Sequence, residues 1–247
     1  MAYTPHSFCW FEIGGDPAIN SAFYAAAIGV ENVDFPMGDE VYTMFAGENG
    51  VNTGGYRAPA PGQPAAWLSY MAVEDVDATA AAVVQHGGAV IQAPFDLPVG
   101  RMAVVAEPTG AVFAVFRGHN PDDESDREYT NAGLHWTELF STDVQATVAF
   151  LGSVFGLTTQ TMPFPGGTYY VLLSGEKTIG GCMQNVHGGP SFLLNWFQVA
   201  DCDASVAKVV EHGGKALNEA ADYPGVGRLC MVQDPCGGRF GVMAPTD

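Results

Sequence analysis

Basic residues are scarce in this chain: nine Lys and Arg stand against 27 Asp and Glu, a formal charge of −18. A surface that negative repels phosphate backbones and anionic headgroups, so nucleic acid and membrane surfaces are not the expected partners. A neutral or cationic small organic molecule is easier to accept. No stretch approaches the roughly 20 apolar residues of a membrane span. The amino terminus, MAYTPHSFCWFEI, lacks a basic region followed by an apolar run, so a soluble cytoplasmic protein is expected. The five cysteines (Cys9, Cys182, Cys202, Cys230, Cys236) are odd in number and form no C-x-x-C, which predicts reduced, mostly buried thiols. Histidine never occurs as His-x-His or His-Glu-x-x-His, the spacings that would mark a metal site. Gly166-Gly167, Gly188-Gly189 and Gly237-Gly238 do not open a strand-to-helix turn with dinucleotide or P-loop spacing. No flavin, haem or nicotinamide motif is present, and no cofactor is expected.

What the chain does have is a repeat. Residues 63–117 lie over 189–243 with one added residue, so that Asp77 falls on Asp203, His86-Gly87-Gly88 on His212-Gly213-Gly214, and Gly100-Arg101 on Gly227-Arg228. Glu107-Pro108 falls on Asp234-Pro235, Trp10-Phe11-Glu12-Ile13 on Trp136-Thr137-Glu138-Leu139, and Gly54-Gly55 on Gly180-Gly181. Two copies of a domain of about 120 residues follow, each long enough to bury a core. The segment GHNPDDESDREYTN has almost nothing to bury and reads as a solvated linker. The expected domains are 1–118 and 132–247, joined by an acidic linker at 119–131.

Each half has the same internal order. A short strand meets Asp16-Pro17, an acidic cap with Pro in the first turn, and a helix then runs to Gly29. Strands at 41–46 and up to Gly54-Gly55 look like a hairpin or meander. A strand at 67–73, a helix from Asp77 to His86 stopped by Gly87-Gly88, and three short strands complete the half. The expected fold is α+β: tandem duplicated domains, each of two β-α-β-β-β units. One helix per unit covers one sheet face only, so the other faces must curl around a cup.

The runs WLSYMAVEDVDATAAAVVQHGG and GRMAVVAEPTGAVFAVF, with their second-half partners, carry V-x-D-x-D-A, H-G-G, G-R and [DE]-P-x-G. In these the chain resembles the glyoxalase, bleomycin-resistance and extradiol-dioxygenase group, the vicinal oxygen chelate superfamily. Within it the chain is similar to two-domain actinobacterial proteins labelled hydroxylases or glyoxalase-like. The resemblance implies His, Gln or Glu metal ligands at three places in each cup. Those places fall here on Trp10, Leu68 and Ala114, and on Trp136, Leu194 and Gly241; a shift of one residue would admit Trp67 or Asn195. None of the six best-aligned side chains is a metal ligand, so no bound metal is expected.

Other residues are candidates for a site. Glu12 and Glu138 lie two residues beyond Trp10 and Trp136, hence on the same strand face. A carboxylate in an aromatic pocket is a possible acid, base or counter-ion; equally, each could pair with the retained Arg101 or Arg228 and fix the sheet. His135, which has Cys9 as its counterpart, is either a one-sided catalytic residue or an ordinary strand-edge histidine. His86 and His212 read as helix-end residues. Trp10, Tyr70, Trp136 and Trp196 are the candidate ligand-binding aromatics, suited to a planar apolar molecule oriented by a few polar groups.

Three functional readings follow. The first is a metal-independent protein that holds a small hydrophobic or aromatic molecule in secondary metabolism or resistance. The second is a tailoring enzyme of the hydroxylase type using an acid–base Glu. The third is a metal-dependent glyoxalase or dioxygenase. A monomer with internal pseudo-two-fold symmetry is expected, because fusion lets one chain supply the pairing of single-domain members.

Overall fold

The computed structural model describes residues 5–37, 40–59, 65–119, 131–164 and 167–245. The expected acidic linker lies almost wholly outside the described residues, as does Gly166.

Each half holds two helix-bearing units, as the repeat predicts; three of the four are β-α-β-β-β and the last has a fourth strand after its helix. The first half runs β1 (Phe8–Gly14), α1 (Pro17–Ala27), β2 (Glu31–Met37), β3 (Glu40–Ala46), β4 (Asn52–Arg57), β5 (Trp67–Ala72), α2 (Val76–Gln85), β6 (Ala89–Leu97), β7 (Gly100–Ala106) and β8 (Val112–Gly118). The second half runs β9 (Leu134–Ser141), α3 (Val144–Phe155), β10 (Thr158–Phe164), β11 (Gly167–Ser174), β12 (Lys177–Gln184), β13 (Phe192–Gln198), α4 (Cys202–Glu211), β14 (Lys215–Ala216), β15 (Ala221–Tyr223), β16 (Gly227–Gln233) and β17 (Arg239–Ala244). The strand orders are β2-β3-β4-β1-β5-β8-β7-β6 and β10-β11-β12-β9-β13-β17-β16-β14, with β15 paired to β16.

Among the described residues all four helices open on an aspartate whose carboxylate accepts from the first-turn amides: Asp16, Asp75, Asp143 and Asp201. Such caps satisfy donors that have no partner within the helix. The second and fourth helices begin one residue earlier than the expected start at Asp77, because Asp75 and Asp201 take the cap. Asp77 and Asp203 are thereby released for another task. His86 and His212 occupy the C-cap positions. Gly87 and Gly213 follow at φ 87° and 89°, a conformation that favours glycine. Strand β2 was not foreseen. It is exposed along nearly its whole length and contains Pro36, so it lacks the alternation that marks a half-buried strand, and it suits a sheet edge.

Contacts divide the chain into two compact units that each draw on both halves. One comprises Met1–Trp10, Ser69–Asp126 and Trp136–Leu193; the other comprises Phe11–Leu68, Arg127–His135 and Leu194–Asp247. The first unit buries Met71, Val83, Val105, Phe113, Phe150 and Leu172 in one aliphatic-rich core. A small void of about 10 Å³ within that core is lined by Met71, Phe113, Leu139, Leu151 and Leu193, among others. Its lining also includes Thr137 and Gly181. The second unit is aromatic: Tyr24 packs against Phe23, Tyr56, Trp67, Phe197 and Phe240, with ring centroids 5.0–6.2 Å apart. Among the described residues Glu138 is buried, and each unit also buries the acid of its [DE]-P-x-G motif, Glu107 in the first and Asp234 in the second. These are the equivalent acids of the two [DE]-P-x-G motifs, and both are held by named donors. Glu107 accepts from Thr147 at 2.9 Å and from the Ala111 amide at 2.9 Å.

Candidate functional site

Strand alternation separates the faces of β1. Phe11 and Ile13 are buried in the core, so Trp10 and Glu12 belong to the face the helices leave open. The same parity puts Trp136 and Glu138 of β9 on the open face, opposite to Thr137 and Leu139.

On that face each glutamate meets a tyrosine. Tyr42 donates to Glu12 Oε1 at 3.1 Å, and Tyr169 is hydrogen-bonded to Glu138. Trp136 Nε1 donates to Tyr169 Oη at 2.8 Å, which makes a relay of Trp136, Tyr169 and Glu138. Burial, and then the Glu138 charge, push the Tyr169 phenol well above its ordinary value, so it remains a protonated donor at neutral pH. The repeated glycine pairs explain how the rings reach these places. A Cβ on Gly55 would collide with the Tyr42 ring, and one on Gly181 with the Tyr169 ring. Glycine is therefore required by close approach on the open face.

The glutamates do not pair with Arg101 and Arg228. Glu12 Oε2 is 2.9 Å from Arg57 Nε, whereas Arg101 binds Asp77 at 2.7 and 3.0 Å and Asp96 at 2.7 Å. Arg228 likewise binds Asp203 at 2.6 and 2.9 Å and Asp222 at 3.2 Å. The reason is parity. Arg101 shares the face of Ala103 and Val105, which lie in the helix-covered core, and it meets the aspartate that the Asp75 cap released. Arg57 has no counterpart of its own charge in the second half. Gly14 stands beside Arg57 and Glu12 beside Gly55 in one register; Phe140 stands beside Met183 and Glu138 beside Gly181 in the other.

Apolar side chains flank both pairs. Phe35 lies opposite Tyr42 and Met162 opposite Tyr169, and each is 44% exposed. Phe164 packs on Tyr169 with ring centroids 5.7 Å apart. Phe140 and Phe192 stack at 4.9 Å, with the His187 ring 5.4 Å from Phe140. The bond of each tyrosine to its glutamate and the part played by Arg57 were not foreseen from the sequence. The Gly-Gly pairs were the signal available in the sequence.

The remaining candidates divide. Tyr70 shares its face with Ala114, its ladder partner, and meets Phe116 edge-on at 6.1 Å. Trp196 lies over Gly241, where a Cβ would strike its ring. His135 has the opposite parity to Glu138 and is not brought to it. It hydrogen-bonds Gln198, and burial holds its imidazole below the ordinary value.

The residues do not fit the metal that the resemblance implies. Leu68, Ala114 and Leu194 are buried apolar groups, and the Trp196 ring covers Gly241. The one-residue shift fails as well, because Trp67 packs in the aromatic core and Asn195 has the parity of Phe197, on the core face. Among the described residues no group of three or more His, Cys, Asp or Glu side chains is placed to hold a metal.

The model of the glyoxalase/bleomycin resistance protein/dioxygenase superfamily matches residues 13–115 and 133–242. The chain belongs to this superfamily. Among relatives, "Putative glyoxylase CFP32" of Mycobacterium tuberculosis is 35% identical over 240 residues, covering 93% of this chain and 91% of the relative. "Anthracycline biosynthesis protein DnrV" of Streptomyces peucetius is 32% identical over 261 residues, covering 98% and 94%. Among solved structures, a Mn(II)-bound glyoxalase from Novosphingobium aromaticivorans aligns with a TM-score of 0.65 at 17% identity, over 98% of this chain and 82% of that one. The 2,3-dioxygenase LapB from Pseudomonas sp. KL28 aligns at 0.66 and 13%, over 100% and 94%. At such identity the superfamily structures testify to fold alone.

Proposed function

We propose that this superfamily member is a metal-independent protein of secondary metabolism that binds a small hydrophobic or aromatic molecule on the open face of its strands. The observation that carries the reading is the Glu–Tyr pair, set beside exposed apolar side chains, in each half. Such a surface favours a planar ring, which loses hydration on contact, and orients it by a few polar groups. The relative named for anthracycline biosynthesis supports a polycyclic aromatic ligand. The Trp136–Tyr169–Glu138 relay favours one second reading, an acid–base tailoring step in which Glu138 exchanges a proton with the bound molecule. We also propose that Trp10, Tyr70 and Trp196 contribute to ligand binding, that the domain boundary falls at 119–131, and that the chain acts as a cytoplasmic monomer without nucleic-acid partners.

Titration with a panel of planar aromatics should quench tryptophan fluorescence saturably. Absence of saturable quenching throughout the panel would overturn the reading. Elemental analysis of protein purified without chelator should find no metal near one equivalent per chain or per domain. A stoichiometric metal would return the chain to glyoxalase or dioxygenase chemistry.

A further inference from the structure

The two [DE]-P-x-G motifs have different surroundings. In the first, Thr109 follows Glu107 by two residues, and Thr147 follows the cap Asp143 by four. Glu107 accepts from both hydroxyls, which lie 3.4 Å apart, so each of the three groups has a partner. In the second motif the same places hold Cys236, two residues after Asp234, and Asn20, four after the cap Asp16. Asp234 accepts instead from Tyr24 and from the Gly238 amide. The Asn20 side chain is fully buried, and among the described residues neither its oxygen nor its nitrogen has a hydrogen-bond partner. An amide buried in that state costs stability. Close approach joins it to the thiol. A Cβ on Gly15 would strike Asn20 Nδ2 and lie 3.2 Å from Cys236 Sγ, so the amide and the sulfur border one point. Cys236 is only partly buried, and the Asp16 backbone amide donates to its sulfur.

We propose that Cys236 is a modification site, at which hydrogen peroxide converts the thiol to a sulfenic acid that the Asn20 amide holds. The sulfur bonds to one peroxide oxygen as the O–O bond breaks. Sulfur is oxidised by two electrons, the peroxide is reduced, and the second oxygen leaves as water with the thiol proton. The S–O–H group so formed is both donor and acceptor, which matches Oδ1 and Nδ2 of Asn20. It also gives this motif the hydroxyl that Thr109 supplies to the other. Burial raises the Cys236 thiol above its ordinary value, against the Asp16 amide, so oxidation is slow and retention of the product is the mark of the site. Cys202 and Cys230, the other thiols of this unit, are buried and donate to the Val242 and Asn218 carbonyls. Neither is free to resolve the sulfenic acid into a disulfide.

Trapping with dimedone tests it. The reduced full chain is treated with hydrogen peroxide, freed of it, and given dimedone after increasing delays, with peptide mass spectrometry as the readout. Dimedone should mark Cys236, and the trappable fraction should decline about tenfold more slowly than in Asn20→Leu, the worth of one hydrogen bond. Reduced Asn20→Leu should melt no lower than wild type, because it loses no hydrogen bond. The same trapping on wild type unfolded in urea needs no variant, and there the slow decline should vanish. Equal lifetimes in wild type and Asn20→Leu, or in native and unfolded wild type, would overturn the part given to Asn20. A lower melting temperature for reduced Asn20→Leu would do so too, by showing the amide already engaged. Absence of dimedone label at Cys236 in the native chain would overturn the site itself.

Discussion

Tyr24 Oη donates a 2.9 Å hydrogen bond to Asp234 Oδ2 across 210 positions of sequence. Both groups are buried, so helix α1 is fixed to the turn before β17 by a polar contact that water cannot replace. Burial raises the Asp234 carboxyl above its ordinary 3.8, against the pull of the Gly238 amide and Tyr24.

Tyr24→Phe should therefore cost about 1–3 kcal/mol, since it removes a donor from a buried acid. Urea unfolding measures it, and a loss below about 0.5 kcal/mol would show that the backbone amides alone hold Asp234. The pH sign follows from the raised value. The fold favours the protonated acid, so this contribution is complete below the unfolded value near 3.8 and is lost as pH rises through the folded value. Wild type should accordingly lose stability relative to Asp234→Asn as pH rises above about 4.

Gly241→Ala should force the Trp196 ring off the strand, because the added Cβ would occupy its place. Overpacking of this kind costs about 1–3 kcal/mol, and a red shift of tryptophan emission should accompany it. Gly152→Ala provides the contrast. It lies within α3, with the Leu157 carbonyl 3.4 Å from the new Cβ, an ordinary contact. Helix propensity should make this variant more stable by about 0.5–1 kcal/mol. Equal melting temperatures for the two variants would contradict the packing described for Trp196.

Arg101→Met should leave ligand binding unchanged, because Arg101 engages Asp77 and Asp96 rather than Glu12. Its hydrogen bonds hold the Asp77 carboxyl below its ordinary value. The Asp77 contribution is present above that ordinary value and is lost as pH falls through the lowered one. Carbon-detected NMR titration should show the Asp77 midpoint moving up in the variant. An unmoved midpoint would mean the pair does not persist in solution.

Thiol labelling should be sharply graded. Burial pushes the Cys182 and Cys202 thiols up to about 12, and Cys230 is buried as well. At pH 8 Ellman's reagent should modify Cys9 or Cys236 first and leave Cys182 and Cys202 silent until urea unfolds the chain. Rapid labelling of Cys182 in the native state would show that the core around α3 opens readily.

Much of this was legible from the chain because its signals are local and occur twice. Asp16-Pro17 and Asp143 announce helices through cap chemistry, which needs only neighbouring amides. The side chains at the places where the resemblance implies ligands, Trp10, Leu68 and Ala114, could be read off directly. The partner of Glu12 could not. Arg101 recurs in both halves and Arg57 does not, so the repeat favoured the wrong arginine. Strand β2 escaped because an exposed edge need not alternate.

The sequence by itself determined the duplication, the order of the helices and of the strands other than the exposed edge β2, and which residue types each half retained, because repeat, cap and turn chemistry act over a few residues. Only the tertiary structure decided which side chains meet: Tyr42 with Glu12, Tyr169 with Glu138, and Arg101 with Asp77. Those meetings depend on strand register and on the face each residue takes. A single-residue change in register or parity exchanges the core for the open face.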